Sequence, residues 1–331
     1  MGKKRHSSVL VTGGAGFIGS AFVRLLAEQG VPVAVLDKLT YSGDLKRLEG
    51  TGGRFRFYKT DICNKRAAGA VFASERPDTV VHFAAESHVD RSIKDAAPFI
   101  ETNIKGTQVL LDVSRKYSVN RFVFISSDEV YGEIADGKFK EDFPLKPNSP
   151  YAASKAAADL LVQAYVRTNK FPAIIVRPSN TYGPWQYPEK LIPLAILRIL
   201  RKEKVPVYGK GKNIREWLYI DDCVRGIAEI MDKGRIGQVY NLGGSCESRN
   251  IDTVKLLLRL LGEKADRFKF VKDRPGHDIR YSLNSGKAAK ELGWRPKVKL
   301  AEGLKSTVAW SLCHRDWLKS KLADVNKLYG K

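Results

Sequence analysis

Cysteine is scarce in this sequence, and its spacing indicates neither a disulfide framework nor a metal site. The four cysteines, at positions 63, 223, 246 and 313, are far apart and form no CxxC pair. Disulfide frameworks and zinc sites generally need cysteines in close or regular spacing. We therefore predict reduced, structural cysteines and no metal site.

Long apolar runs are absent as well. No stretch approaches the roughly 20 consecutive apolar residues that cross a bilayer. The basic start, residues 1–6, is followed by a short apolar run at 9–12 and then by glycines. That order is the pattern of a first strand rather than of a secretory signal. We expect a cytoplasmic protein that does not bind a membrane.

Acidic residues are few relative to basic ones. The 331 residues include 57 Lys and Arg against 36 Asp and Glu, a formal net charge of +21. Such a charge would suit a nucleic-acid-binding protein, but the basic residues are spread along the chain without a dense tract or an aromatic-interleaved RNA motif. A basic surface that attracts a phosphorylated substrate is the better explanation, and we expect no nucleic-acid partner.

A glycine-rich turn follows the first apolar run. Gly13, Gly16 and Gly19 stand between the strand at 9–12 and an amphipathic run that reaches about residue 29. Gly13 permits a tight turn, Gly16 lets backbone approach a pyrophosphate, and Gly19 allows close helix–strand packing. The helix N-terminus would then face the phosphates. This strand–turn–helix unit predicts a dinucleotide-binding site.

Acidic residues at the ends of the next two strands refine that prediction. Asp37 ends the second strand, at the position where an acid hydrogen-bonds the adenosine ribose and favours NAD over NADP. Lys38 leaves this choice open, because a cation there tolerates a 2′-phosphate. Asp61 follows the third strand, where it would meet the adenine amino group. We predict NAD as the cofactor.

Strands and helices alternate through the first half of the chain. Six strand-like runs lie at 9–12, 33–36, 55–58, 79–83, 122–125 and 173–177. This alternation predicts an α/β fold with a doubly wound parallel sheet. His82 lies inside the fourth run, and we predict that it is packed in the core.

The pattern changes after Arg177. We predict a dinucleotide-binding domain over residues 1–178 and a smaller, mixed α/β substrate-binding domain over 179–331, with a strand near 237–242 returning to the first sheet. The turn-forming residues at 206–212 predict a β-hairpin.

Chemistry is concentrated after the fifth strand. The run at 122–125 ends in Ser126, Ser127, Asp128 and Glu129, and loops at the carboxyl ends of parallel strands are where such sheets bind ligands. Tyr151 and Lys155 follow on a predicted helix, four residues apart and therefore on one face. We expect the lysine to lower the pKa of the tyrosine, so that a tyrosinate accepts a proton near neutral pH. The two carboxylates exceed what simple alcohol oxidation needs.

Together with these motifs, the runs at 37–41, 84–93, 187–193 and 273–278 resemble the extended short-chain dehydrogenase/reductase superfamily. Within it, the sequence is most similar to the nucleoside-diphosphate-sugar 4,6-dehydratases, above all those acting on dTDP-glucose, over about residues 8–315. The resemblance implies a Rossmann fold and a tightly bound NAD that is recycled in each turnover. It also implies a homodimer formed through helices near 98–117 and 151–169.

The resemblance implies a role for each catalytic residue. Asp128 would protonate the departing O6 hydroxyl and Glu129 would remove the C5 proton. Tyr151 would take the C4 hydroxyl proton, Lys155 would hold the nicotinamide ribose, and Ser127 would hydrogen-bond the C4 oxygen. The expected result is oxidation at C4, loss of water across C5 and C6, and hydride return to C6, giving a 4-keto-6-deoxyglucose nucleotide.

Binding residues are expected in two sets. The cofactor would be held by Gly13, Gly16, Phe17, Ile18, Gly19, Asp37, Lys38, Thr40, Asp61, Ile62, Ala84, Ala85, Thr102, Tyr151 and Lys155. The nucleoside-diphosphate sugar would be held by Ser87, Ser127, Asn180, Glu189, Lys190, Leu191, Pro206, Tyr208, Arg215, Asn250, Arg274 and His277.

Two residues depart from the family pattern. Ser127 stands where threonine is usual, which keeps the hydroxyl and loses the methyl that restrains it. Thr181 stands where asparagine is common. UDP-glucose and UDP-N-acetylglucosamine stay open as substrates. A nucleotide-sugar epimerase or decarboxylase is less favoured, because it would not need both Asp128 and Glu129.

Overall fold

Twelve strands are found in the part of the chain that the computed structural model describes, residues 7–244 and 246–328. They are β1 (Val9–Thr12), β2 (Val33–Asp37), β3 (Phe55–Lys59), β4 (Thr79–His82), β5 (Arg121–Ile125), β6 (Ala173–Pro178), β7 (Asn180–Tyr182), β8 (Val205–Tyr208), β9 (Ile214–Tyr219), β10 (Val239–Leu242), β11 (Cys246–Arg249) and β12 (Phe268–Val271). Seven of them form one sheet in the order β10-β6-β5-β4-β1-β2-β3, with every neighbouring pair parallel.

The described residues also form thirteen α-helices, some of which cover the two faces of this sheet. They are α1 (Phe17–Glu28), α2 (Lys65–Glu75), α3 (Val89–Lys94), α4 (Ala97–Phe99), α5 (Thr107–Lys116), α6 (Pro150–Asn169), α7 (Leu191–Leu200), α8 (Ile220–Lys233), α9 (Asn250–Leu260), α10 (Gly286–Leu292), α11 (Leu300–Cys313), α12 (Arg315–Ser320) and α13 (Leu322–Leu328). One buried apolar cluster includes residues of α1 and α8, and another includes residues of α2, α5 and α6. The predicted doubly wound parallel sheet is confirmed.

The strands of the large sheet are apolar because both of their faces are covered. Every residue of β1, β2 and β4 is buried, which is why these segments read as continuous apolar runs rather than as alternating ones. His82 is among them, only 1% exposed. Its ring nitrogens lie 2.7 Å from Thr12 Oγ1 and 3.0 Å from Thr107 Oγ1, and burial lowers its pKa to about 3. The prediction of a packed core histidine is confirmed.

Residues after 178 build two smaller sheets and one returning strand. The small sheets have the orders β11-β9-β7 and β12-β8. β10 pairs with β6 in the large sheet, which confirms the predicted return near 237–242. The division into domains at residue 178 stays a prediction. Among the helices of residues 7–244 and 246–328, none combines the length and apolar character that crossing a membrane requires.

The predicted hairpin at 206–212 is wrong. Gly209 and Gly211 do turn the chain, with φ of +54° and +65°, but the strands on either side do not pair with each other. β8 pairs in parallel with β12, whereas β9 pairs with β7 and β11. The glycines correctly predict a local turn, but the strands that pair with β8 and β9 lie in distant parts of the sequence.

The predicted helix at 98–117 is present but not uniform. Its first part is the short α4 and its last part is α5, and between them Ile100–Gly106 forms a π-helical segment. Such segments widen the helix locally and often occur at functional sites. Here it places Thr102 and Asn103, both buried, beside the large cavity described below.

Candidate active site

The paired carboxylates lie on a tight turn at the end of β5. Asp128–Tyr131 forms a single 3₁₀ turn, and Ser127 caps it by accepting a hydrogen bond from the Glu129 N–H at 3.2 Å. The Ser127 hydroxyl also donates to Asp128 Oδ1 at 3.2 Å. Asp128 is only 2% exposed, and its Oδ2 has no hydrogen-bond partner among the described residues. A buried carboxyl oxygen without a partner strongly favours the protonated acid.

The two carboxyl groups differ in their electrostatic surroundings. Burial raises the pKa of Asp128 well above its usual range, and the charge of Glu129 raises it further. Burial also raises the pKa of Glu129, but the charges of Arg274, Lys190 and Arg215 oppose this effect. The site therefore favours a neutral Asp128 beside a Glu129 whose anion is supported by cations.

Tyr151 and Lys155 lie in the first turns of α6. The Ser149 side chain caps this helix by accepting from the Ala152 N–H at 3.1 Å, and Pro150 occupies its first position, which suits its fixed φ and missing N–H. The Tyr151 N–H donates to Ser92 Oγ at 3.0 Å. Lys155 Nζ donates to the Ile125 carbonyl at 2.6 Å, so the lysine is directed at the end of β5.

The expected lowering of the Tyr151 pKa by Lys155 is wrong for the ligand-free chain. Burial raises the pKa of Tyr151, the charge of Glu129 raises it further, and a hydrogen bond with Ser127 only partly opposes them. Burial also lowers the pKa of Lys155 to about 8. The physical reason is desolvation, which disfavours both the phenolate and the ammonium.

Arg177 fixes the catalytic helix against the sheet. Its Nε and Nη2 donate to the two carboxylate oxygens of Asp159 on α6, both at 2.9 Å. Its Nη1 donates to the Tyr131 hydroxyl at 2.7 Å, and both ionic partners are almost fully buried. Because Tyr131 ends the turn that carries the two carboxylates, this one arginine holds both that turn and α6 in place.

Asn103 is a positioning residue that sequence reasoning missed. From the π-helical segment it donates to the Glu86 carbonyl at 3.0 Å and to Ser154 Oγ at 2.8 Å. Its Oδ1 accepts from the Glu86 N–H at 2.8 Å. It therefore joins the loop after β4 to the catalytic helix. The available signal was an asparagine in the middle of a predicted helix, where its propensity is poor.

A single cavity of about 1000 Å³ contains these groups. Every predicted catalytic, cofactor-binding and substrate-binding residue lines it except Asp61. Asp61 is outside the lining, and its carboxylate pairs with Lys38 Nζ at 3.3 Å and accepts from the Cys63 N–H at 2.9 Å. The fold thus brings the predicted residues to one place, although their individual roles stay predictions.

The cofactor half of the cavity fits a dinucleotide. A Cβ on Gly13, whose φ is +71°, would lie 2.5 Å from the Ala84 nitrogen, and one on Gly19 would lie 2.2 Å from the Gly13 oxygen. A side chain at either position would therefore break the turn. Gly16 lines the cavity at the start of α1, and no side chain caps that helix. A helix N-terminus without a side-chain cap, beside a turn made mostly of glycine, is suited to a pyrophosphate.

Asp37 lies where the adenosine ribose is expected. Its carboxylate accepts from the Ala15 N–H at 3.0 Å and from the Leu39 N–H at 2.8 Å, which fixes its orientation toward the cavity that it lines. Lys38 is engaged with Asp61 and lies 3.4 Å from Thr102 Oγ1. This engagement draws the lysine toward Asp61 and the π-helical segment, which favours the predicted NAD.

The substrate half of the cavity is lined by cations and by amide oxygens without partners. Arg215 is 6% exposed and donates to the Asp278 carbonyl at 3.0 Å. Lys190 Nζ donates to the Ser87 carbonyl at 2.7 Å. The Oδ1 atoms of Asn180 and Asn250 are buried and have no hydrogen-bond partner within residues 7–244 and 246–328, so both amides have capacity for a ligand. This combination suits a phosphorylated, hydroxyl-rich substrate.

Thr181, the second departure from the family pattern, lines the cavity, but its hydroxyl is bonded within the protein. Its hydroxyl donates to the Ser179 carbonyl at 3.1 Å and lies 3.6 Å from Cys223 Sγ. The hydroxyl is thus occupied within the protein. The absence of an asparagine here is accommodated by a local hydrogen bond.

Three of the sequence runs that carried the family resemblance meet at one point. The Tyr41 hydroxyl donates to Glu189 Oε1 at 3.0 Å, and the Arg91 guanidinium lies 3.6 Å from the centre of the Tyr41 ring. His88 Nε2 is 3.9 Å from Glu189 Oε2. Sequence reasoning missed Tyr41 and Arg91, because their partners are far away along the chain.

Comparison with known proteins identifies the family of this chain. The family model described as GDP-mannose 4,6 dehydratase matches residues 10–307. A dTDP-glucose 4,6-dehydratase of Actinoplanes sp. is 48% identical over 318 residues, which are 93% of this chain and 99% of that protein. The structure of DesIV, a dTDP-glucose 4,6-dehydratase from Streptomyces venezuelae solved with NAD bound, is 47% identical, with a TM-score of 0.92 and coverage of 95% of this chain and 99% of that one.

Epimerases share the fold at lower identity. A UDP-glucose 4-epimerase from Thermotoga maritima, solved with UDP-glucose, is 34% identical, with a TM-score of 0.88 and coverage of 93% of this chain and 99% of that one. The fold alone therefore does not separate the two reactions. The family match over residues 10–307 and the 48% identity to a dehydratase do so: this chain belongs to the nucleotide-sugar 4,6-dehydratase family of the extended short-chain dehydrogenase/reductases, together with the dTDP-glucose 4,6-dehydratases.

Proposed function

We propose that this protein is an NAD-dependent dTDP-glucose 4,6-dehydratase, which converts its substrate to the 4-keto-6-deoxyglucose nucleotide with loss of one water. The observation that supports this reaction best is the pair Asp128 and Glu129 in one cavity with Tyr151. The pair lies on one turn, yet burial and the charge of Glu129 raise the pKa of Asp128, while the charges of three cations oppose the effect of burial on the pKa of Glu129. Elimination needs one acid and one base, which is what such a divided pair supplies.

The proton steps follow from these protonation states. Tyr151 accepts the proton of the C4 hydroxyl, with Ser127 hydrogen-bonded to the same oxygen. Once C4 is a ketone, the C5 proton is acidic and Glu129 removes it. Asp128 then delivers its proton to O6, and water leaves across C5 and C6. Arg215 and Arg274 supply charge for the diphosphate.

NAD would be held by the glycine turn, Asp37 and Lys155. When bound, NAD⁺ takes the hydride from C4, returns it to C6, and brings a positive charge that lowers the pKa of a phenol in the same cavity. Burial raises the pKa of Tyr151, so its phenol would release its own proton to solvent when the charged cofactor binds, and only then could it accept the C4 proton. Lys155 is already held at the end of β5, beside the carboxylate turn.

A turnover assay without added NAD tests the reaction and the nucleotide together. dTDP-glucose, UDP-glucose and UDP-N-acetylglucosamine would be offered separately, and products read by mass and by the 4-keto chromophore in alkali. We expect loss of one water from dTDP-glucose. Loss of water from a UDP sugar alone would change the assigned substrate but leave the proposed reaction unchanged. A product of unchanged mass with inverted C4 would identify an epimerase.

We also propose that the protein is a homodimer. Ile100 on the π-helical segment and Leu160 on α6 are 55% and 54% exposed, and these two helical segments pack against each other. Neighbouring exposed apolar side chains on adjacent helices support an interface between two copies. Sedimentation of the purified protein would test this, with a monomer at micromolar concentration as the contrary result.

The pH dependence of kcat should respond to Arg274. Glu129 must be ionised, so activity falls as the pH drops through the pKa of Glu129. Because the charge of Arg274 lowers that pKa, Arg274→Met should raise it and move the acid limb of the profile to higher pH. The profile would be measured at saturating substrate, since Arg274 is also a predicted binding residue.

Arg295→Met is the matched control, because Arg295 is exposed and outside the cavity lining. Its acid limb should coincide with that of the unmodified protein. An unshifted limb in Arg274→Met would assign the acid limb to a group other than Glu129.

A further inference from the structure

Residues 38–48, which we call the cofactor loop, follow Asp37 and form one wall of the cofactor half of the cavity. The loop contributes Lys38, Thr40, Ser42, Gly43 and Arg47 to the lining. Leu39 within it has a φ of +56°, the left-handed region that a bulky side chain adopts only where its surroundings impose it. The loop is therefore held in its shape by contacts from outside.

Asp44 connects the cofactor loop to the last helices of the described chain. Its Oδ2 accepts from Trp317 Nε1 at 2.8 Å and from Lys321 Nζ at 2.7 Å. The side chains of Asp44 and Lys321 are only 13% and 20% exposed. Hydrogen bonds between charged groups that are shielded from water are among the stronger ones. Segment 315–328 thus binds the cofactor loop through Asp44.

Arg47 makes a second connection from the same loop. It is 1% exposed and donates to the carbonyls of Ala15, at 3.0 Å, and Trp185, at 3.0 Å, as well as to that of Ser42. Its guanidinium lies 5.4 Å from the centre of the Trp317 ring. One buried side chain therefore joins the glycine turn, the cofactor loop and the C-terminal segment.

The same segment also supports the other end of the loop. Val325 is fully buried in a cluster with Tyr187 and Leu194, and Tyr41 of the cofactor loop packs against that cluster. Trp185 has a φ of +69° and packs edge-on against Trp317 at 5.2 Å. The C-terminal segment thus supports both strained positions, Leu39 through the loop and Trp185 directly.

We propose that segment 315–328 holds the cofactor loop closed over NAD and so slows release of the cofactor, with Asp44, Arg47 and Trp317 as positioning residues. This inference depends on the proposed use of NAD. Retention matters for this reaction because the cofactor that is reduced at C4 must be the one oxidised at C6. If the reduced cofactor escapes, the 4-keto intermediate stays bound or is released without the hydride that C6 needs.

The test is the exchange of bound NAD for isotope-labelled NAD in the holoprotein, followed by mass. Asp44→Asn keeps the shape and removes the charge, and Trp317→Phe keeps a ring and removes the N–H. We expect each variant to exchange NAD about tenfold faster than the unmodified protein, the effect of losing one hydrogen bond to a charged group. The Michaelis constant for added NAD should rise, while kcat recovers at saturating NAD.

Lys319→Gln is the matched control, because Lys319 is an exposed residue of α12 that pairs with Asp316 at 3.7 Å and does not touch the loop. It should exchange NAD at the unmodified rate. Exchange at that same rate in Asp44→Asn and Trp317→Phe would overturn the inference, even if their thermal stability fell. An unmodified protein that retains no NAD would instead overturn the proposed use of the cofactor, and this inference with it.

Discussion

Asp128→Asn is expected to lower dehydratase turnover by about 10³-fold while leaving oxidation at C4 intact. Asparagine has the same shape and still accepts from the Ser127 hydroxyl, but it has no proton to transfer. Asp128 is suited to this transfer because burial and the charge of Glu129 raise its pKa well above the usual range, which favours the protonated acid. Without it, O6 must leave as hydroxide. In a single turnover the absorbance of the reduced cofactor should therefore appear and persist.

Hydrogen exchange at C5 distinguishes the two carboxylates. In heavy water, Asp128→Asn should still exchange the C5 hydrogen of the 4-keto sugar, because Glu129 is present to remove it. Glu129→Gln should also accumulate reduced cofactor, but without exchange at C5. Asp142→Asn, at an exposed loop carboxylate, serves as the control with normal turnover. Exchange lost in Asp128→Asn and kept in Glu129→Gln would reverse the two assignments.

The parts of this molecule that sequence reasoning found are those whose signal is local. The glycine turn, Asp37 and the carboxylate turn after β5 each lie within a few residues of the strand that positions them. Parallel strands that are buried on both faces are continuous apolar runs. The sequence therefore predicted the strands of the large sheet and the positions where they end and loops begin. The carboxyl ends of these strands then meet at one edge, which brought the predicted residues together.

The missed features depend on contacts between distant segments. β8 and β12 pair in parallel although a turn made a local hairpin the natural prediction. Arg47 was not among the predicted site residues, yet it is buried and contacts the Trp185 carbonyl and the Trp317 ring. Neither the composition of a short stretch of sequence nor the spacing of its residues predicts contacts with such distant segments.

The Tyr151–Lys155 pair shows a different limit. Spacing placed both residues on one helix face, but the pKa of a group depends on its burial and on charges from other segments. Burial and the Glu129 charge raise the Tyr151 pKa, and the ammonium is directed at the Ile125 carbonyl. The sequence identified the two groups, but their protonation states could be inferred only from the burial and the charges that the folded cavity imposes.

Tyr151→Phe should stop the reaction one step earlier than Asp128→Asn. We expect a fall in kcat of about 10³- to 10⁴-fold, and no reduced cofactor, because the C4 hydroxyl has lost its proton acceptor. The ring keeps its edge-on contact with Phe99, with ring centres 6.3 Å apart, and the backbone N–H keeps Ser92 Oγ. Substrate affinity should therefore change little.

Tyr165→Phe is the control on the same helix, since its hydroxyl donates to Asp112 at 2.7 Å on the outer side of α6. It should turn over normally. The double variant of Tyr151→Phe with Asp128→Asn should behave like Tyr151→Phe alone and form no reduced cofactor. Oxidation at C4 comes before elimination, so a defect in elimination has no further effect once oxidation is blocked. Reduced cofactor forming in Tyr151→Phe at the unmodified rate would mean that another group takes the C4 proton. Ser127, hydrogen-bonded to Tyr151, would then be the residue to replace next.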